Sequence, residues 1–285
     1  MKVIRLFKES FSGIGAKVWL LSAVTLVNRT GAMVLPFLSV YLSTVEGYSL
    51  STVGVILLFY GLGSFSGNYI GGILTDRVGA FRIQFLSLLT TAISFMVLSV
   101  LHSPTSFAIG LFCTSLLADI FRPANIASIT LLAEKEKRTK AIGVNRLAIN
   151  LGFSIGPAFG GLVAYSVGYQ LLFFIDATSC VIAALLLLYF FREHISNEGK
   201  REELKEGKKK PSMKLVLEDT WFLYFLFLMF FLAIIFMQLF NSLPVYYKNE
   251  LSFTEDIIGL LMAYNGVLVV ILELPMIHYF EKFKK

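Results

Sequence analysis

The sequence predicts an all-α membrane protein, a bundle of eight membrane-spanning helices. Of its 285 residues 56% are hydrophobic and only 15% are charged, where a soluble domain would carry roughly 25% charged residues. Mean hydropathy is +0.74. A series of apolar stretches, each of about 18 residues or more, follows along the chain, the length a helix needs to cross hydrocarbon. Read as alternating crossings, these stretches put 21 of the 25 Lys and Arg residues on one side and one, Lys248, on the other. By the positive-inside rule the N-terminus is expected in the cytoplasm and the protein in the plasma membrane.

Each span carries its own signals. The start, MKVIRLFKESFSGIGAK, is basic and amphipathic, without the small-residue site that closes a cleavable leader. Span 1, about 18–43, holds Asn28 and Arg29 near its midpoint. Span 2, about 52–74, ends in Gly71 and Gly72, small enough to let helices approach closely. The polar hairpin TDRVGAFR follows, with Gly79 free to make a tight reversal into span 3, about 83–101. Span 4, about 105–131, carries Asp119 at mid-depth and Arg122 three residues on, a spacing that shares one helix face. Pro123 removes a backbone donor there.

Span 5, about 142–166, repeats Gly152, Gly156 and Gly160 every four residues, which predicts one flat packing face. Pro157 is expected to bend it. Span 6, about 171–191, has Asp176 near one end, expected to anchor a helix end. The charged stretch 192–217 then divides the chain into residues 1–191 with six spans and 218–285 with two. Span 7, about 218–246, carries Gln238 and Asn241, and span 8, about 256–279, carries Glu273 ahead of Pro275.

The composition also excludes functions. The net charge of +6 is a topology signal, with weak attraction to anionic lipid at most, so nucleic acid is not an expected partner. Cys113 and Cys180 sit in apolar spans and read as packing residues, and His102, His194 and His278 are scattered. No metal site or cofactor is expected. With no nucleophile–base pair or phosphate loop at workable spacing, an enzyme is not expected either.

Two motifs and a repeat narrow the class. The hairpin reads Gly72-x3-Asp76-Arg77-x-Gly79-x2-Arg82 between spans 2 and 3. It resembles the signature loop of the major facilitator superfamily of secondary transporters, departing from it at Ala80-Phe81, where a basic residue is usual. Span 5 reads Gly143-x8-Gly152-x3-Gly156-Pro157-x2-Gly160-Gly161 and resembles the fifth-helix motif of that superfamily's drug–proton antiporters. Pro36 maps onto Pro244 at an offset of 208, while Gly54 and Gly61 map onto Gly259 and Gly266 at 205. The latter offset also carries Asp76-Arg77 onto Glu281-Lys282. Spans 7 and 8 thus read as a second copy of spans 1 and 2, in keeping with a fold built from parallel six-helix repeats.

The resemblance implies a major facilitator-like bundle: a six-helix N-terminal half followed by the first two helices of the second half. It implies twelve helices in all, so four further helices or a partner chain are expected to complete the fold. It implies that Asp76 holds the halves together on the cytoplasmic side by facing helix 11, which favours an outward-open state. It implies that helices 1, 4 and 7 line the central cavity, making Asn28, Gln238 and Asn241 substrate-cavity candidates. It also implies a proton-coupling role for Arg122, although Asn125 and Ile126 replace the residues usual after it.

A charge inside a span is costly and points to function. Asp119 is therefore the leading proton carrier, with Arg29 and Arg122 tuning it and Glu273 as the alternative carrier. Asp119 with Arg122 or Arg29 also reads as a local structural ion pair. The expected activity is proton-coupled efflux of small organic molecules by alternating access. The alternatives are a nutrient symporter, or a non-transporting membrane remnant or half that needs a partner.

Overall fold

A computed structural model describes residues 13–201 and 218–281, with side-chain surroundings for 13–196 and 218–272. The elements within them are helical, and eight helical stretches are long and apolar enough to cross a membrane. Span 1 is Ala16–Thr44, span 2 Leu50–Val78, span 3 Ala80–Leu98 and span 4 Pro104–Leu132. A short 3-10 turn, Lys135–Lys137, leads into span 5, Arg138–Ser166. Span 6 is Gln170–Arg201, span 7 Thr220–Asn249 and span 8 Glu255–Glu281. Helix runs through both Pro123 and Pro157, so neither proline interrupts its span.

The interruptions fall elsewhere. Span 1 breaks into Ala16–Thr30 and Val34–Thr44. Span 7 breaks into Thr220–Gln238 and Ser242–Asn249. Both edges of the break recur 208 residues later, the offset that superimposes Pro36 on Pro244. Spans 2 and 8 begin 205 residues apart, at Leu50 and Glu255. The repeat in the sequence is therefore a repeat in the backbone.

Helix ends are set by local chemistry. Ser49 and Ser103 each accept a hydrogen bond from the backbone N–H three residues on, capping spans 2 and 4. Asp219 does the same for span 7. Gly79 adopts φ 104°, a conformation that side chains disfavour, and turns span 2 into span 3 within one residue.

Spans 2 and 4, 3 and 4, 3 and 6, 1 and 5, 1 and 6, and 5 and 8 pack side by side. Two apolar cores result. One, toward the N-terminal end of span 1, joins Val18, Leu21, Phe81, Phe121, Leu187 and Phe191. The other, toward the far end, joins Phe37, Leu38, Ile56, Phe107, Phe173 and Ile258. The intramembrane charges of span 1 and span 4 lie between the two. Residues Thr220 to Gln238 of span 7 are exposed along their whole length.

Candidate functional site: a polar cavity between two apolar cores

Asp119 is 4% exposed, at mid-span and on the inward face of span 4. Its Oδ1 takes the Nε–H of Arg122 at 2.6 Å, the i, i+3 pair that the spacing predicts. Its Oδ2 accepts a hydrogen bond from the Ser64 hydroxyl on span 2. Arg122 itself is half exposed, so the pair joins a buried carboxylate to a guanidinium at the edge of the packed spans.

Arg29 approaches from span 1. Its Cζ lies 5.8 Å from the centre of the Phe153 ring of span 5, a cation–π contact. Asp119, Arg122, Tyr60 and Cys180 are the titratable groups around it. Asn28 donates to the Cys180 sulfur of span 6 at 3.3 Å. These groups line a cavity of about 100 Å³ whose remaining walls include Leu35, Leu38, Phe95 and Leu111. Asn28, Arg29, Asp119 and Arg122, four of the residues singled out in the sequence, therefore meet in one place.

Two supports of this cavity lie on spans 6 and 4, with partners that the sequence did not point to. Asp176, on span 6, accepts the backbone N–H of Met33 at 2.8 Å and of Val34 at 3.2 Å. It caps the second segment of span 1 across the break, satisfying donors that a broken helix would otherwise leave bare. One turn along span 4, Asn125 donates to Thr25 of span 1 at 3.0 Å and accepts from Asn145 of span 5 at 2.6 Å. Asn125, one of the departures from the family pattern, thus ties span 4 to spans 1 and 5. The signal for Asn145 is only a polar residue in an apolar span, one among several.

The remaining predicted residues lie apart. Gln238 is exposed, its amide oxygen taken by the Ser242 hydroxyl, and Asn241 sits in the break of span 7; neither lines this cavity. The side chain of Glu273 and the pair Glu281-Lys282 lie outside the residues with described side chains. In the hairpin, Asp76 and Arg77 are exposed at the end of span 2. Arg82 reaches span 6, donating to the carbonyls of Ile195 at 2.7 Å and Ser196 at 3.3 Å. Phe81 is buried and stacks on Phe191 with ring centres 5.3 Å apart. The departure at Ala80-Phe81 is thereby accounted for, because that position is core.

The span 5 glycines divide between two neighbours. Gly152, Gly156 and Gly160 face Arg29, Thr30, Ala32 and Met33 of span 1, the flat face expected. Gly161 instead meets Glu255 and Gly259 of span 8, and Gly259 meets the Pro157 carbonyl in return. Gly143 has open space around it, so this glycine lies outside both packing faces. Gly72 also faces open space, and only Gly71 of that pair brings two helices together, against Ile120 and Pro123. The close approach expected of both glycines is therefore made by one.

Comparison with known proteins agrees with this architecture. A family model described as Major Facilitator Superfamily matches residues 18–285. The chain is 28% identical to a Na(+), Li(+), K(+)/H(+) antiporter of Planococcus maritimus, over 90% of this chain and 66% of the relative. It is 22% identical to the quinolone resistance protein NorA of Staphylococcus aureus, over 89% of this chain and 63% of that one. Among solved structures, a peptide transporter POT in complex with sulfate superimposes with a TM-score of 0.58 at 17% identity. That match covers 95% of this chain and 53% of the other, a likeness of fold. The chain thus spans less than two-thirds of the length of each of these three proteins.

Proposed function

Because the chain belongs to the major facilitator superfamily, we propose that it is the front part of a secondary transporter that exports small organic molecules in exchange for protons. One observation carries the reading: a buried carboxylate, Asp119, sits in a mid-span cavity and shares its two oxygens between Arg122 and Ser64. Protonation of Asp119 cancels its attraction for Arg122, so proton loading and the arrangement of spans 2 and 4 are coupled. Residues 1–191 act as one half and 218–285 begin the second. The four further helices that the family resemblance implies would cover the exposed face of span 7. In this reading the N-terminus faces the cytoplasm, the orientation that the basic residues favour, and the membrane is the plasma membrane.

The span 5 glycine motif favours export over uptake. A second reading is exchange of a monovalent cation for a proton, favoured by the antiporter of Planococcus maritimus among the relatives. In that case Asp119 binds metal ion and proton in turn.

The test uses inside-out vesicles containing the natural gene product and a fluorescent pH probe in an acidified lumen. Organic substrate added outside should make the lumen more alkaline if substrate and proton exchange, and more acidic if they travel together. Added Na+, Li+ or K+ should alkalinise it if the second reading holds. Asp119→Asn should abolish the response. A full response in Asp119→Asn vesicles would overturn the assignment.

A further inference from the structure

Of the two cations that line the cavity, Arg122 is paired with Asp119 and Arg29 has no carboxylate in contact among the described residues. Resting on the transport reading of the same cavity, we infer that it binds an organic substrate through an anionic group, a carboxylate or its equivalent, with Arg29 as the anchoring cation. Two carboxylates line the cavity. Asp119 is committed to Arg122 and Ser64. Asp176 is committed through both oxygens to the backbone N–H groups of Met33 and Val34. Neither pairs with Arg29, whose Nε is buried without a hydrogen-bond partner. Phe153 offers only the face of a ring.

A guanidinium held in a membrane span without an acceptor is costly. An incoming carboxylate removes that cost through charge-assisted hydrogen bonds, which a neutral or cationic molecule cannot form. The walls suit the rest of such a molecule, since Leu35, Leu38, Phe95 and Leu111 surround the charged end. Gly152 of span 5 lets span 1 come close at this point, since a side chain there would collide with Cβ and the backbone of Arg29.

The experiment measures binding of three ligands on one aromatic frame to the purified protein in nanodiscs. They are 2-naphthoate, 2-naphthamide and 2-naphthylmethylammonium. Naphthoate should bind roughly tenfold or more tightly than the other two. Arg29→Gln should erase that preference by weakening naphthoate alone, and Arg29→Lys should restore part of it. The ligand series on the unaltered protein decides the sign even if a variant fails to fold. Equal or tighter binding of the amide or the ammonium overturns the inference, as does an unchanged naphthoate preference in a folded Arg29→Gln protein. If the ammonium binds best and drives proton exchange, the anion inference falls while the transport reading stands. If none of the three binds, the anion inference falls, and the vesicle assay with Asp119→Asn decides the transport reading.

Discussion

Asp119 and Asp176 line the same cavity and do different work, which variants can separate. Asp176 holds two backbone N–H groups, so its role is that of an acceptor and its negative charge is secondary. Asp176→Ala leaves both donors buried and bare, and should lower unfolding stability in detergent by about 2–4 kcal/mol. Asp176→Asn retains one acceptor oxygen and should cost about half as much, while leaving proton-coupled exchange in vesicles intact. Asp119→Asn should show the reverse pattern, with exchange lost and stability little changed. At this scale the sequence was informative where partners are local. Arg122 lies three residues from Asp119, so helical spacing alone paired them. Ser64, 55 residues away, could not be seen from the spacing. Asp176 was recognisable as an anchor, but its client was not, because residues 31–33 carry no proline to announce a break.

Span 5 works as an element with two packing faces. Adjacent residues on a helix point about 100° apart, so the doublet Gly160-Gly161 already implies two neighbours. The four-residue repeat captured the face toward span 1 and passed over the one toward span 8. On that second face the backbones meet with no room for a side chain: Cβ atoms added at Gly161 or Gly259 would each run into the other helix's backbone. Gly161→Val and Gly259→Val should each destabilise the protein by about 1–3 kcal/mol, the usual cost of overpacking. They should also loosen span 8, read as faster hydrogen exchange over 255–272. Gly143→Ala and Gly72→Ala face open space and should leave both measurements unchanged. The repeat adds a contrast, since Gly54 and Gly61, the counterparts of Gly259 and Gly266, have nothing against them.

At the scale of the molecule, hydropathy located all eight crossings because a span's length and apolarity are properties of its own residues. The repeat was equally readable, since it needs only comparison of the chain with itself. How the two parts hold together depended on contacts between distant loops, and here spacing was silent. Glu255, at the start of span 8, accepts from the Tyr169 hydroxyl at 2.6 Å and pairs with Lys248 at 2.7 Å. Burial, and then the bond to Glu255, push the Tyr169 hydroxyl well above the usual tyrosine range, so it stays protonated and keeps donating. This tie joins the turn between spans 5 and 6 to the ends of spans 7 and 8, just beyond the Gly161–Gly259 contact. Alternating access by rocking of repeats would have to part these elements on that side. Lys248 and Glu255 keep some access to water, with 28% and 10% of their side chains exposed. Their contribution therefore belongs between that of a surface pair and a buried one, about 1–2 kcal/mol. Glu255→Gln removes the charge and keeps an acceptor for Tyr169, whereas Glu255→Ala removes both. Spin labels at positions 167 and 251 should report a longer-distance population that grows about fivefold to thirtyfold relative to the closed one in Glu255→Ala, and by less in Glu255→Gln. Distance distributions identical in all three proteins would show that the glycine contact alone closes this side.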